Sequence, residues 1–515
     1  MSFWILDLKT FNRPSFVPRI FISSHRVFAF FVFLANYLSS LLVAGDLVVT
    51  MDSARRVLKD GGVYVEGNTI VDVGPSAEIK AKYKPDRIFG GRRRLVMPGF
   101  VNAHDHYSGH LIRQLGDDRD LFTWLEEMVM PLSIVTKPED IYIGAKACMA
   151  EQIKSGITTV FDDSVVWLPN HISKRASVDD IAKASTELGI RIIEAVGGAD
   201  HQEEVSDIFR YDAEAAKKDC SSLFQKYNKA DSMVRIWSNA SWPPVCTDEM
   251  FRAMKQVADE YGTGTYSHVA ESLKEVQLMK RRTGKTEIEY LDSIGFLGNN
   301  VLFAHAVWLT ESDMARLKRN ETKISHQPIC NQYLASGIAA VPRLMKEGIT
   351  VGLGIDDGGH ANEDFFALMK TYCLIHKGVL LDATCTTAEK ALEMATIDGA
   401  RALGMDRSIG SLEPGKKADI IVVNEGRLNY SPHTRPLTAL VYGGMATDIE
   451  TTIIDGRVVV DQGNITAKID EEELMNQAER RAYDLVERAD KKSLVIESHR
   501  GWAIPYMKPS EPRLA

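Results

Sequence analysis

The stretch Met97-Pro98-Gly99-Phe100-Val101-Asn102-Ala103-His104-Asp105-His106 decides the fold, because an apolar run ends in two histidines two residues apart. In an extended strand, residues i and i+2 point to the same side, so both imidazoles face one point in space. Imidazole nitrogens bind zinc or iron(II), and two rings on one strand need only one or two further ligands. A His-x-His pair is a weak signal by itself. The prediction of a metal site therefore depends on ligands elsewhere in the chain.

Residues 100–405 alternate strand-like apolar runs with helix-like patterns, which is typical of consecutive β/α units. Eight such units predict an α/β protein with a TIM (β/α)8 barrel. An open doubly wound sheet is disfavoured, because no Gly-x-Gly-x-x-Gly motif follows a strand. The strand candidates are Phe100–His104, Thr158–Asp162, Arg191–Val196, Val234–Asn239, Thr265–Ala270, Val301–His305, Lys323–His326 and Thr350–Ile355. The helix candidates include Glu139–Lys154, Val178–Leu188, Ala213–Tyr227, Asp248–Tyr261, Leu273–Ile294, Glu311–Lys318, Val341–Lys346 and Glu363–His376.

Short alternating strands flank the barrel in sequence, in residues 42–99 and again in residues 406–470. The second block includes predicted strands at Ile420–Asn424, Leu440–Tyr442, Ile449–Ile454 and Arg457–Val460. The two blocks together predict one small β-sandwich domain built from both ends of the chain, with the barrel of residues 100–405 inserted between them. Residues 471–515 are predicted to form a surface helix at Glu471–Arg488 and a tail.

Residues 1–41 form an N-terminal extension whose composition differs from that of the rest of the chain. Its apolar run from Val27 to Leu42 comes after Arg19, His25 and Arg26, as in a signal peptide or a signal anchor. The same run leads directly into the first predicted strand, so cleavage there would cut into the folded unit. We expect no membrane association, although a signal or an anchor stays open.

The composition limits which classes of binding partner and which cellular compartment we expect. The chain has 515 residues and a formal charge of −9, and its tight basic clusters are only three residues long, so we expect a small-molecule substrate and no nucleic acid. The six cysteines lack Cys-x-x-Cys spacing, which predicts a reducing, cytoplasmic location. The C-terminal helix or tail could cover a neighbouring subunit, so a homo-oligomer stays open.

Metal-ligand side chains recur at the carboxyl ends of the predicted barrel strands, where TIM-barrel enzymes carry their active sites. The fifth strand ends in Tyr266-Ser267-His268-Val269-Ala270-Glu271, the sixth in His305 and the seventh in His326. The eighth ends in Gly354-Ile355-Asp356. Each residue alone is more often structural, but together they are hard to explain by chance.

These motifs, in this order, resemble the amidohydrolase superfamily: PGFVNAHDH, HVAE, AHAVWLT, SHQPICNQYLASG, GLGID and GSLEPGKKAD. The nearest resemblance is to the branch of triazine hydrolases and methylthioadenosine/S-adenosylhomocysteine deaminases. It covers about residues 42 to 465 and implies a distorted TIM barrel with a β-sandwich. The implied activity is that of a hydrolase acting on carbon–nitrogen bonds, other than peptide bonds, in cyclic amidines.

The resemblance also implies roles for individual residues. His104, His106, His268 and Asp356 would bind one divalent metal, with Zn²⁺ expected and Fe²⁺ the alternative. Water bound to that ion can lose a proton near pH 7, and Asp356 can accept it. Glu271 would protonate a ring nitrogen of the substrate. His305 would hydrogen-bond the attacking hydroxide or the developing oxyanion.

A second metal is disfavoured, because two-metal cyclic amidases of the superfamily carry a bridging lysine on the fourth strand. Here Arg235-Ile236-Trp237-Ser238-Asn239-Ala240 contains no lysine. The predicted reaction is therefore deamination of an aromatic N-heterocycle by attack of one metal-bound hydroxide. The alternatives are hydrolytic dechlorination or dealkylamination of a triazine-like ring, deamination of S-adenosylhomocysteine or methylthioadenosine, and, last, a noncatalytic binding scaffold.

The sequence indicates the substrate less closely than it indicates the reaction. S-adenosylhomocysteine deaminases carry a glutamate for the ribose where this chain has Ser133, and a histidine where it has Trp242 before Pro243. These departures disfavour adenosine-type substrates and leave oxidised purines, pterins and triazines open. Asp162 and Asp163, after the second strand, could orient the substrate or solvate the rim, and the rim is the favoured interpretation.

Overall fold

The structure is a computed structural model that describes residues 40–357 and 362–495. The N-terminal extension up to residue 39, the turn at Gly358 and Gly359, and the predicted tail lie outside the described residues. The first strand begins at Ser40 and therefore includes the end of the apolar run. The exact domain boundaries stay a prediction.

Strands from both ends of the chain form one mixed sheet of eight strands, in the order β17-β16-β15-β14-β4-β1-β2-β3. At its centre β4 pairs in parallel with β1 and antiparallel with β14, with Pro98 opposite Ile420. Val43, Val65 and Ile453 share one buried core, so side chains from both ends of the chain hold the sheet together. The predicted domain made from the two ends of the chain is confirmed. Its strands are β1 Ser40–Val49, β2 Val57–Glu66, β3 Thr69–Pro75, β4 Arg87–Pro98, β14 Ile420–Asn424, β15 Ile449–Ile454, β16 Arg457–Asp461 and β17 Asn464–Ile465.

The middle of the chain forms a parallel sheet in which neighbouring strands follow one another in sequence from β5 to β12. The two-residue strand β13 pairs with β5, with Asp356 opposite Asp105, and so closes the barrel. Phe161, Tyr266 and Leu302 fill its interior. The predicted TIM barrel is confirmed. Its strands are β5 Phe100–His106, β6 Ile157–Asp162, β7 Arg191–Gly198, β8 Val234–Ala240, β9 Thr265–Val269, β10 Val301–His305, β11 Lys323–His326, β12 Val351–Leu353 and β13 Asp356–Asp357.

Helices surround the barrel, and two of the helix and strand predictions need correction. Residues Leu440–Tyr442 belong to a helix, not a strand. Pro436 at the start of that helix favours it, because the proline ring fixes φ near the helical value. The predicted helix Leu273–Ile294 is two helices, because Gly284 adopts a left-handed conformation (φ +74°) and ends the first. The helices are α1 Ser76–Lys82, α2 Leu121–Trp124, α3 Met130–Ile134, α4 Pro138–Lys154, α5 Lys174–Leu188, α6 Ala213–Tyr227, α7 Asp248–Tyr261, α8 Leu273–Thr283, α9 Glu287–Ser293, α10 Glu311–Arg319, α11 Pro328–Tyr333, α12 Val341–Lys346, α13 Phe365–Leu380, α14 Ala388–Met394, α15 Ile397–Ala402, α16 Pro436–Gly443 and α17 Glu471–Arg488.

The C-terminal helix α17 has the predicted bounds, but one of its faces is buried against the barrel. Leu485 and Val486 are buried on that face. Arg488 donates to the buried Asp140 of α4 at 2.6 Å, and Arg481 lies 3.4 Å from the other oxygen of the same carboxylate. The helix is therefore fixed to the barrel by a small apolar contact and a shared carboxylate.

Among residues 40–357 and 362–495, no helix combines the length and apolar character needed to cross a bilayer.

Candidate active site

The carboxyl ends of three barrel strands bring the predicted metal ligands together. His104 and His106 end β5, His268 lies on β9, and the closing strand β13 carries Asp356. The donor atoms of the three histidines lie within 4.8 Å of one another. The donor atoms of His104, Asp356 and His305, which ends β10, are equally close. Because His104 belongs to both groups, five potential ligands lie close together at this end of the barrel.

Two of these imidazoles are oriented by backbone carbonyls. His106 Nδ1 lies 2.7 Å from the carbonyl oxygen of Asp163, and His268 Nδ1 lies 3.0 Å from that of Ser241. Because a carbonyl only accepts, each Nδ1 carries the proton and each Nε2 keeps its lone pair. Both Nε2 atoms are thereby prepared to bind a cation.

The other two imidazoles are oriented by side chains. The Tyr266 hydroxyl lies 3.0 Å from His104 Nδ1, and Asn331 Oδ1 lies 2.9 Å from His305 Nδ1. Gln327 Oε1 accepts from the His305 backbone N–H at 2.8 Å. His305 needs this support, because its φ of +69° is unusual for a residue with a side chain.

Asp356 faces the histidines and also has a strained backbone, with φ +76°. Its Oδ1 lies 3.4 Å from His104 Nε2 and 3.6 Å from His106 Nε2. Burial alone would raise the pKa of Asp356, but the neighbouring His104 and His305 outweigh it and hold that pKa well below the ordinary value. Asp356 is therefore a carboxylate at neutral pH.

The donor set fits one divalent metal ion. The buried atoms His104 Nε2 and Asp356 Oδ2 have no hydrogen-bond partner within the described part of the chain, which is costly unless a ligand uses them. Burial lowers the pKa of His104 to about 4 and lowers that of His268 well below its ordinary value, so both rings are neutral at pH 7. Neutral imidazoles with one carboxylate are a donor set that suits zinc or iron(II).

Glu271 and His305 lie beside this cluster. Glu271 Oε2 is 3.5 Å from His305 Nε2, which is 3.6 Å from Asp356 Oδ2. Burial raises the pKa of Glu271 to about 7, although nearby His305 opposes the shift. Ser336 Oγ donates to the other oxygen of Glu271 at 3.2 Å. A buried carboxyl with a pKa near 7 can both give and take a proton at neutral pH.

A mainly apolar cavity opens above these residues. His106, His268, Glu271, His305 and Asp356 line its inner end. Ser133 and Trp242, the two departures from the S-adenosylhomocysteine deaminases, both line it. Trp124 and the C-terminal helix residue Leu485 complete part of the wall.

Asp162 and Asp163 correct the sequence interpretation, because both are buried and neither is a solvated rim residue. Asp163 Oδ2 lies 3.8 Å from His268 Nδ1, and its Oδ1 accepts from Asn239 of β8 at 2.5 Å. Their position as a polar pair directly after a fully buried strand was the feature that could have indicated their burial. Asp163 thus contacts both His106, through its carbonyl, and His268.

The loop residues after β11 divide between two environments. Cys330 lines the cavity. His326 instead packs beside Tyr372 and His376, with ring centroids 6.2 and 5.7 Å away. Asn331 contacts the site through His305.

Comparison with known proteins agrees with this geometry. The sequence profile of the amidohydrolase family matches residues 95–459, from the end of β4 to β16. The 5-methylthioadenosine/S-adenosylhomocysteine deaminase of Thermoanaerobacter pseudethanolicus is 33% identical over 454 residues, which is 87% of this chain and 100% of that protein.

Two solved structures have the same fold. An adenosine deaminase from Xanthomonas campestris with bound zinc superimposes with a TM-score of 0.80 at 26% identity, covering 86% of this chain and 98% of that one. A variant of atrazine chlorohydrolase from Arthrobacter aurescens, in complex with zinc and atraton, gives a TM-score of 0.80 at 23% identity, covering 86% and 100%. The second likeness concerns the fold alone.

Proposed function

This chain belongs to the amidohydrolase family of carbon–nitrogen hydrolases, and we propose that it deaminates an aromatic N-heterocycle with the help of one divalent metal ion. The observation that carries the proposal is the position of the Glu271 carboxyl, which has a pKa near 7 and lies beside the cluster of His104, His268 and Asp356. Ammonia is a poor leaving group, so its expulsion needs a proton donor for the ring.

His104, His106, His268 and Asp356 would hold the ion. Zinc is the proposed metal and iron(II) the alternative, and the zinc bound by the Xanthomonas structure supports this choice. When bound, such an ion lowers the pKa of a water molecule toward neutrality and polarises the carbon that is attacked.

The chain's own residues then move the protons. Asp356, which is a carboxylate at neutral pH, accepts a proton from the attacking water. Glu271 Oε2 gives its proton to a ring nitrogen, which makes the adjacent carbon more electrophilic. His305 Nε2, between the two carboxyls, donates a hydrogen bond to the oxygen as charge develops on it. The proton held by Asp356 then passes to the departing amine, and the hydroxyl proton of the added oxygen returns to Glu271, so both carboxyls regain their starting states.

His305 is suited to donate that hydrogen bond. Burial lowers the pKa of an imidazole, but the negative charge of Glu271, once it has given up its proton, and that of Asp356 outweigh it and raise the pKa of His305. Its Nδ1 already donates to Asn331. A proton on Nε2 therefore faces the reacting atoms.

An adenine ring is the first substrate class to test. The Thermoanaerobacter relative, aligned over its whole length, is named for two adenine nucleosides. The departure at Ser133 concerns the ribose and leaves the choice of ring open. Oxidised purines, pterins and triazines stay in the panel.

The test is ammonia release by zinc-loaded protein against adenosine derivatives, guanine, 8-oxoguanine, pterins, cytosine and aminotriazines. Rapid release from one class is the expected result. Silence across the panel, with chloride or alkylamine released from a substituted triazine instead, would replace deamination with the other leaving groups.

We also propose that the protein works in the cytoplasm. All six cysteines are free thiols and five of them are buried, a state that a reducing compartment preserves.

We also propose that the protein forms a homo-oligomer. The exposed apolar residues Val379, Leu380 and Leu381 at the end of α13 support this proposal, and light scattering would test it.

A further inference from the structure

Five of the side chains that line the cavity are apolar and pack against one another, and we call them the apolar subsite. They are Ile112, Trp124, Leu132, Leu334 and Leu485. All five are at most 7% exposed and belong to one packed cluster. The inner end of the same cavity holds His268 and Glu271. A substrate whose ring meets the inner end would therefore carry its distant substituent into apolar surroundings.

The cavity offers no cation to such a substituent. Within the described residues, none of the side chains that line it is lysine or arginine. Four of its carboxylates lie at or next to the proposed metal and proton-transfer residues: Asp163, Glu271, Asp356 and Asp357. The fifth, Asp140, is already paired with Arg488 and Arg481. A carboxylate on the substituent would thus lose its hydration without gaining a cationic partner, although hydroxyl groups such as those of Ser133 and Thr136 line the cavity.

The C-terminal helix positions the outermost wall. Leu485 lies on the same buried face of α17 as Val486, three residues before Arg488. Arg488 binds Asp140 and also donates to the Val135 carbonyl, which follows α3. The helix, the segment before α4 and the cavity wall are therefore joined at one corner.

We infer that the apolar subsite selects heterocyclic substrates whose substituent is apolar and uncharged, and rejects those that carry a carboxylate there. The inference rests on the proposed deamination and names the substrate class more closely. The relative from Thermoanaerobacter is named for both kinds of substituent, a methylthio group and a homocysteine moiety. In this chain Leu485 would favour the substrate with the methylthio group over the substrate with the homocysteine moiety.

Matched adenine nucleosides test the inference on the zinc-loaded full chain. We expect kcat/KM for 5′-methylthioadenosine to exceed that for S-adenosylhomocysteine by at least about 100-fold. A 5′-butylthio analogue, apolar but of similar length to the homocysteine compound, separates length from charge. It should be deaminated within about tenfold of the methylthio compound.

Variants of Leu485 give a second readout. Leu485→Arg should shift the preference toward S-adenosylhomocysteine by at least about tenfold, because it supplies a carboxylate partner at the wall. Leu485→Met keeps the wall apolar and should leave the preference unchanged. Met475→Arg adds the same charge at an exposed position of the same helix and is the matched control. Thermal unfolding shows whether each variant is folded.

Calorimetric binding to the zinc-loaded Glu271→Gln protein separates this inference from the proposed function. Tight binding of the methylthio compound, with no ammonia from any nucleoside by the unaltered protein, would end the deaminase proposal and keep the subsite. Equal turnover of both compounds would end the subsite inference and keep the deaminase. Equal rejection of the butylthio and homocysteine compounds would also overturn it, because length and not charge would then decide. Failure of every nucleoside to bind would overturn it as well.

Discussion

The two ends of the cavity are built in different ways. At the inner end, side chains such as His104, His268 and Asp356 project from strand ends of one closed barrel, and backbone or side-chain acceptors fix their rings. At the outer end, side chains such as Trp124 and Leu485 come from helices far apart in the chain and are held by packing. Strand register fixes the positions of the reacting groups closely. The side chains on the packed helices can change without disturbing those positions. The reaction and the choice of substrate are thus separable properties.

The largest effect should come from removing a ligand at the inner end. We expect His268→Ala to lose both the metal and nearly all activity, because removing one of the four proposed ligands weakens metal binding and disturbs the geometry of the remaining three. Metal analysis after dialysis and an ammonia assay measure the two losses. Full metal content in this variant would mean that His268 is not a ligand.

Glu271→Gln should separate proton transfer from metal binding. We expect the metal content to be unchanged and kcat to fall about 10²- to 10⁴-fold. In the unaltered protein, kcat should also fall as the pH rises above about 7, because burial raises the pKa of Glu271 to about 7 and the protonated form is the donor. That alkaline decline should be missing from the residual activity of Glu271→Gln. An unaltered pH profile in the variant would assign the proton to another group.

Asp163→Asn should have an intermediate effect, because its side chain lies 3.8 Å from the proposed ligand His268 and is not a proposed ligand itself. We expect the metal affinity to fall about 10- to 100-fold, as for other residues that orient metal ligands. Chelator competition measures it. Asp162→Asn is the control, because its carboxylate accepts from Tyr107 N–H and Ser164 Oγ and not from an imidazole. Equal losses in the two variants would argue against a specific role for Asp163.

The smallest effect should come from loosening the outer wall. Arg488→Met removes the 2.6 Å contact with Asp140, so we expect KM to rise a few-fold while kcat and metal content stay unchanged. Arg480→Met, which breaks only an exposed contact with Glu473 on the same helix, should change neither constant. A drop in kcat in the Arg488 variant would show that the two ends are coupled.

The fold could be predicted closely from the sequence, because alternating strands and helices leave a local periodic signal. The predicted strand Val301–His305 and the predicted helix Ala213–Tyr227 have the bounds that the structure gives them. The errors fall where local signals are ambiguous. A three-residue apolar run at Leu440–Tyr442 fits a strand or a helix equally well, and only packing decides.

The inner end of the site could also be anticipated, since His104 and His106 share one strand and the other residues follow strands of the same barrel. The outer wall could not. Trp124 and Leu485 lie 361 positions apart (485 − 124), and nothing local marks either as part of a cavity. The sequence alone places Asp163 on the rim, because its burial depends on Asn239 of another strand.

The pairing of β4 with β14 has a consequence for how the protein is made. Pro98 and Ile420 are partners although 322 residues (420 − 98) separate them. At about 5–20 residues per second, a ribosome needs tens of seconds to synthesise that interval. During this time one edge of β4 has no strand beside it, and an open strand edge readily pairs with other chains. The newborn chain is therefore most exposed to aggregation, and most in need of a chaperone, while the barrel is still being translated.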